Sequence, residues 1–224
     1  SLYFSENGYA TMPFAVLLEA ALQPCGWLAS AVGSALTVDE DLSFRNLDGI
    51  GTLHQEVFPT AGTFRTEVTI TNISKSAGMI IENFDVQCFL GDSLIYSLKT
   101  VFGFFPLIAL QNQVGLPTTD EHLELFTSPS TTQIDLRSKP TKYCQGSLRL
   151  AEPMLLMLDR VTAFVERGGK KSLGVLCAEK DVDPTEWFFK AHFFQDPVQP
   201  GSLGIEAMIQ LLQFYMIETN MDKG

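Results

Sequence analysis

Residues 13–30 read PFAVLLEAALQPCGWLAS, and residues 84–102 read FDVQCFLGDSLIYSLKTVF. The contrast between these two stretches decides the fold class. The first is rich in Ala and Leu, opens with proline and is apolar on almost every face. Proline suits the first helical position, where its missing N–H has no helical partner to lose. A helix apolar all round is expected to be buried on all sides, and Pro24 should kink or end it about one turn early. In the second stretch the period drops to two. Phe84, Val86, Cys88 and Leu90 alternate with Asp85, Gln87 and Phe89, and Leu94, Tyr96, Leu98, Thr100 and Phe102 alternate with Ile95, Ser97, Lys99 and Val101. Half-buried antiparallel strands give this pattern, with Gly91-Asp92 as the turn between two of them.

The strand region extends outward to Leu42–Pro106. Val68 and Ile70 sit between threonines there, and Asp48-Gly49 and Ser76-Ala77-Gly78 mark other turns. Residues 107–146 are polar and without a sustained period, as expected of a connection between units. Strand patterns resume at Met154–Arg167 and Lys171–Lys180, hinged by Gly168-Gly169, and Pro200 opens a second largely apolar helix over Gly201–Glu218. The order helix, four strands, long connection, two strands, helix is α+β with an antiparallel sheet. One long buried helix with such a sheet curled around it is the hotdog arrangement. The chain starts Ser1-Leu2-Tyr3-Phe4 and stops soon after the second helix, so it is expected to be a piece of a longer polypeptide.

Composition narrows the function. The 224 residues are 46% hydrophobic with a net charge of −11. The apolar fraction is too high for a disordered tail, and the acidic balance argues against nucleic acid binding through a basic surface. No uninterrupted run of about eighteen apolar residues is present, and no basic region precedes an apolar stretch at the N-terminus. A soluble, cytoplasmic protein with no membrane contact is therefore expected. Cys25, Cys88, Cys144 and Cys177 lack paired spacing, and buried free thiols are the expectation. His54, His122 and His192 lack ligand spacing, so no metal site is expected.

The chemistry concentrates in Trp187–Gln210, WFFKAHFFQDPVQPGSLGIEAMIQ. A histidine sits beside a Pro-Gly helix entrance, and a glutamate lies in the second turn of that helix. The N–H groups of Gly201 and Ser202 are at the helix's positive end without intrahelical partners, and Gly201 permits close backbone approach. A thioester carbonyl placed there would be polarised, acidifying its α-proton. His192, with a reference pKa of about 6.5, is suited to remove that proton near neutral pH. A carboxylic acid kept protonated in an apolar tunnel could donate to a departing hydroxyl. Together these roles amount to β-elimination of water.

The run HFFQDPVQPGSLGIEAMIQL closely resembles the active-site segment of the FabA-type β-hydroxyacyl-acyl-carrier-protein dehydratases, H-F-x-x-D-P-V-x-P-G-x-L-G-x-D-A-M-x-Q-L, departing from it by glutamate at Glu206. The upstream run EPMLLMLDRVTAFVERGG is similar to the same family. MPFAVLLEAALQPCGWLAS, DLSFRNLDGIGTLHQEV and FGFFP resemble the dehydratase region of polyunsaturated fatty acid synthases, in which two hotdog units are fused. The resemblance carried by residues 187–218 and 12–30 implies a degenerate first hotdog unit over 1–106 lacking its opening strands, a linker over 107–146, and a second unit over 147–224 lacking its later strands. It implies dehydration of 3-hydroxyacyl thioesters to 2-enoyl thioesters, with His192 as base and a glutamate as acid. It also implies a substrate carried on the phosphopantetheine of an acyl carrier protein, no dissociable cofactor, and a homo-oligomer. Double-bond isomerisation stays open.

An internal repeat agrees with a fused pair. At an offset of 187, Pro13 falls on Pro200, Glu19 on Glu206, Ala20 on Ala207 and Gln23 on Gln210. Phe14 stands where the second copy has Gly201, and Asn7 or Ser5, depending on a two-residue gap, stands opposite His192. Each FabA-type site combines the histidine of one protomer with the acid of the other. On a fused pair that implies His192 with Glu19 and Asn7 with Glu206; Glu206 as the partner of His192 is the rival. A non-catalytic acyl-binding or scaffold fragment and a hotdog thioesterase are the other function classes. Phe188, Phe189, Phe193 and Phe194 are expected in the core or along an acyl tunnel. Arg137, Lys139, Lys142 and nearby Arg149 are expected on a solvated linker, with an acidic carrier protein as the alternative partner.

Overall fold

The computed structural model describes residues 2–127, 132–193 and 195–221; Phe194, among the expected core or tunnel aromatics, lies outside them. In chain order the elements are α1 (Leu2–Asn7), α2 (Phe14–Ala31), β1 (Leu42–Leu53), β2 (Arg65–Ser76), β3 (Met79–Leu90) and β4 (Ser93–Pro106). There follow α3 (Leu107–Gln111), α4 (Asp120–Thr127), β5 (Ile134–Asp135), α5 (Thr141–Cys144), β6 (Arg160–Val165), β7 (Val175–Glu179) and α6 (Gly201–Glu218). The contacts divide the chain into two compact units, Ala10–Gly115 and, together, residues 1–9 with 116–224.

In the unit 10–115, four antiparallel strands run in the order β1-β4-β3-β2. The alternation in β3 sends Ile80, Phe84, Val86 and Cys88 to the buried face, and Tyr96, Leu98 and Phe102 of β4 join them. Against these side chains α2 lays Leu17, Leu18, Ala21, Cys25 and Ala29. Phe102 stacks on Phe44 at 4.5 Å between centroids and meets the edge of Phe84 at 5.8 Å, the offset and edge geometries that aromatic quadrupoles favour. A long helix against an antiparallel sheet is the hotdog arrangement, and the chain is α+β. Cys25 and Cys88 are free and buried, and burial pushes the Cys25 thiol up to about 12. It is a core residue, not a nucleophile.

Three expectations are corrected here. The helix does not end near Pro24; it runs on to Ala31, with Ala21, Cys25 and Ala29 fully buried. Packing of that face holds the turns that proline's lost donor weakens. Nor is it buried on all sides, since Trp27 points outward at 72% exposure. By length and composition Phe14–Thr37 also passes for a membrane span, yet α2 packs like a core helix on its own sheet. Asp48-Gly49 is not a turn but part of β1, where the register with β4 shifts between Asn46 and Asp48. The extra residue is Leu47, and Asp48 and Gly49 pair in register with Val101 and Thr100.

One inward position of β3 breaks the apolar pattern. Glu82 is fully buried, and neither carboxylate oxygen has a hydrogen-bond partner. A buried polar group left unsatisfied costs about 1–3 kcal/mol. Glu82→Leu is therefore expected to raise the unfolding free energy by roughly that amount in a urea titration. A lower midpoint in the variant would contradict this account.

In the unit formed by residues 1–9 and 116–224, β5, β6 and β7 form a three-stranded antiparallel sheet. Phe214 and Ile217 of α6 pack with Leu136, Tyr143, Leu150, Leu158 and Val161. Leu136 and Tyr143 come from the stretch expected to be linker, where elements of two and four residues are too short to show a period. The strand expected from Met154 starts only at Arg160. α1 also belongs to this unit, fixed by the Glu152 N–H donating to the Glu6 carbonyl at 2.8 Å. α6 leaves Ile205, Met208, Leu212 and Met216 exposed, so it too is buried on only part of its surface.

Candidate active site

Residues 187–193 and 195–200 carry local bonds that fix the backbone at His192. Trp187–Lys190 form a 3-10 turn in which Phe188 is buried between the rings of Trp187 and Phe189. Trp187 donates its indole N–H to the Met154 carbonyl at 2.9 Å. His192 donates its backbone N–H to the Phe188 carbonyl at 2.9 Å, and its own carbonyl accepts the Val198 N–H at 2.9 Å. Within that loop Phe193 and Asp196 exchange backbone bonds at 3.0 and 3.4 Å. The Phe193 ring lies against the imidazole, with centroids 3.9 Å apart.

The imidazole's Nδ1 lies 2.9 Å from the Val198 carbonyl oxygen. A carbonyl can only accept, so Nδ1 carries the hydrogen and, in the neutral ring, Nε2 carries the lone pair. A backbone carbonyl thus sets the tautomer that a general base requires.

Two residues beyond Val198, Pro200 caps α6 in extended backbone at φ −55° and ψ 130°. Gly201 is exposed at the first helical position, and a side chain there would meet no atom within 4 Å. The space where a side chain would stand is open. Ser202 and Leu203 turn inward, and Leu203 joins Met157 and Phe188 in a small core beneath the turn.

Glu206 lies five residues into α6, about 7.5 Å along the axis from Gly201. It is buried, and burial pushes its carboxyl above the ordinary carboxylate range, with a hydrogen bond from Gln210 pulling the other way. Gln210 is fully buried and fully used. Its amide nitrogen donates to Glu206 Oε1 at 2.9 Å and to the Leu155 carbonyl at 2.7 Å, and its oxygen accepts the Met157 N–H at 2.8 Å. Gln210 therefore ties α6 to the 155–157 segment and orients the glutamate. Sequence reading placed it only as a repeat position; a glutamine one turn after an acid on an apolar helix was the signal for its role.

His192, Gly201, Ser202 and Glu206 all lie in the unit 1–9 with 116–224, and Glu19 lies half-buried on α2 of the other. The internal repeat holds in the backbone. Phe14 and Gly201 open eighteen-residue helices that Ala31 and Glu218 close. Their proline caps share φ −55°, with ψ 137° and 130°. The first copy is closed at the corresponding place, for Phe14 sets its ring edge-on to Tyr96 at 6.0 Å. Asn7 ends α1. Among the described residues no group of three His, Cys, Asp or Glu is placed to hold a metal.

Residues 150–224 match the model of the FabA-like domain. The chain is 31% identical over 229 aligned residues to a component protein of the polyunsaturated fatty acid synthase of Thraustochytrium sp.; the alignment takes in 94% of this chain and 15% of that protein. Among solved structures, the ChsH1-ChsH2 complex of Mycobacterium tuberculosis is similar over 38% of this chain and 50% of that one, at 14% identity and a TM-score of 0.29. The HadBC (3R-hydroxyacyl-ACP dehydratase) complex of the same organism is similar over 42% and 62%, at 17% identity and a TM-score of 0.28. Residues 150–224 thus resemble a FabA-like domain, in a chain that is similar to a stretch of a polyunsaturated fatty acid synthase along nearly all of its length.

Proposed function

We propose that this chain carries out dehydration of 3-hydroxyacyl thioesters, delivered on the phosphopantetheine of an acyl carrier protein, to 2-enoyl thioesters in polyunsaturated fatty acid synthesis. The observation that carries the reading is His192 Nδ1 bonded to the Val198 carbonyl beside the open helix start at Gly201. In the reaction the thioester oxygen accepts the Gly201 N–H, and His192 Nε2 takes the α-proton. The electron pair of that C–H bond becomes the new C=C bond, the β C–O bond breaks, and an acid's proton leaves with the hydroxyl as water. The first copy, with Phe14 edge-on to Tyr96 and no counterpart of His192, is read as an acyl-binding or scaffold unit. The exposed stripe Ile205, Met208, Leu212 and Met216 supports assembly into a homo-oligomer.

The test is incubation with a 3-hydroxyacyl thioester. Enoyl product supports the reading, free thiol indicates a thioesterase, and an unchanged substrate leaves a scaffold.

The acid has two candidates. The repeat assigns Glu19, whereas the burial that raises the Glu206 carboxyl above its ordinary range favours Glu206. Glu19→Gln is expected to slow enoyl formation by about 100-fold or more, with Glu206→Gln much milder. Parental activity in Glu19→Gln together with a large loss in Glu206→Gln would transfer the role to Glu206.

A further inference from the structure

The chain has 26 acidic side chains against 15 basic ones, so its cations have no shortage of partners. Around residues 137–160 they find them. Arg137 pairs with Asp159 at 3.1 Å and with Asp181, Lys139 with Glu152 at 3.7 Å, and Lys142 with Glu218 at 2.7 Å. Arg160 pairs with Glu179 and Asp181, each at 2.7 Å. Arg149 does not. Its Nε is buried with no hydrogen-bond partner, and no ion pair reaches its guanidinium among the described residues.

The side chain is seated, not loose. Its residue is half-buried, and the guanidinium lies against Gly8, where an added Cβ would sit 2.7 Å from Nη2 and 2.9 Å from Cζ. Gly8 has φ +75°, so glycine both makes the left-handed turn and leaves room for the guanidinium. The two walls are pinned to each other by the Glu152 N–H on the Glu6 carbonyl at 2.8 Å and the Tyr9 hydroxyl on the Arg149 carbonyl at 3.4 Å. An arginine stays charged at any working pH, and a partly desolvated charge is normally paired.

We propose that Arg149 is an oxyanion-binding site whose counter-ion comes from outside the chain. With Nε buried, the terminal amino groups of the guanidinium are what the oxygens of a phosphate or a carboxylate from outside would meet. The source assigned here rests on the proposed function: the phosphate of the phosphopantetheine arm that carries the thioester.

The test uses the whole chain, titrated at constant ionic strength with inorganic phosphate, acetate and phosphopantetheine and followed by calorimetry. Saturable phosphate binding is expected, weakened at least tenfold in Arg149→Gln and less in Arg149→Lys, which keeps the charge but loses the fork. Circular dichroism matching the parent certifies that each variant is folded. If Arg149→Gln does not fold, the folded Arg149→Lys must still show weaker binding. Phosphopantetheine binding at least tenfold tighter than inorganic phosphate, with that margin lost in the variant, assigns the site to the arm. Equal binding of both phosphates, or preference for acetate, overturns that source and leaves a general oxyanion site. No saturable binding of any of the three, or equal binding by parent and variants, overturns the site itself. Enoyl formation by a parent that binds no oxyanion would separate this failure from failure of the proposed function.

Discussion

His192→Asn is expected to lower enoyl formation by about 10²–10⁴-fold, the usual contribution of a positioned general base, while leaving the fold intact. Asparagine is the informative replacement because its amide nitrogen can take over the donation to the Val198 carbonyl that Nδ1 now makes at 2.9 Å. The loop then keeps its bond and loses only the lone pair on Nε2. His192→Ala removes both and is expected to show the same kinetic loss with a lower unfolding midpoint. Activity in His192→Asn within about tenfold of the parent would remove the base from the mechanism, since the geometry would survive and the chemistry would not need it. In the repeat, Asn7 or Ser5, depending on a two-residue gap, stands opposite His192.

The helices were legible because proline caps and long apolar runs act over many residues. α6 ends where its apolar run was expected to end, at Glu218, whereas α2 runs on past Pro24 to Ala31. The β3–β4 hairpin was legible for the matching reason, twelve and fourteen residues of near-strict alternation around a glycine turn. Elements of two and four residues were not. Leu136 sits in a two-residue strand's neighbourhood and Tyr143 in a four-residue helix, and both reach the core through contacts distant in sequence. At the site, residue types at a helix entrance pointed to His192, Gly201 and Glu206. The Val198 carbonyl had no sequence signal, because any residue could supply it. What selects the histidine tautomer is backbone geometry, and composition carries no trace of it.

Gln210→Met is expected to be among the most destabilising single changes in the unit formed by residues 1–9 and 116–224. The volumes are close, so the cost comes from polarity and not from a cavity. Three groups lose a partner at once: the Met157 N–H, the Leu155 carbonyl and Glu206 Oε1. At about 1–3 kcal/mol for each buried group left unsatisfied, partial relaxation still leaves a loss of roughly 3–5 kcal/mol, a large share of a domain's stability. The loss should also depend on pH, with a definite sign. Burial raises the folded-state value of the Glu206 carboxyl, so the stability tied to its proton is complete below the unfolded value and declines as pH rises through the folded one. The Gln210 amide stabilises the ionised form and limits that decline. In Gln210→Met the restraint is gone, the carboxyl moves further up, and the deficit against the parent widens from acid toward neutral pH. Urea titrations of both proteins at pH 4 and pH 7.5 measure it. A deficit that narrows toward neutral pH would mean that Gln210 holds the 155–157 segment without supporting the charge on Glu206.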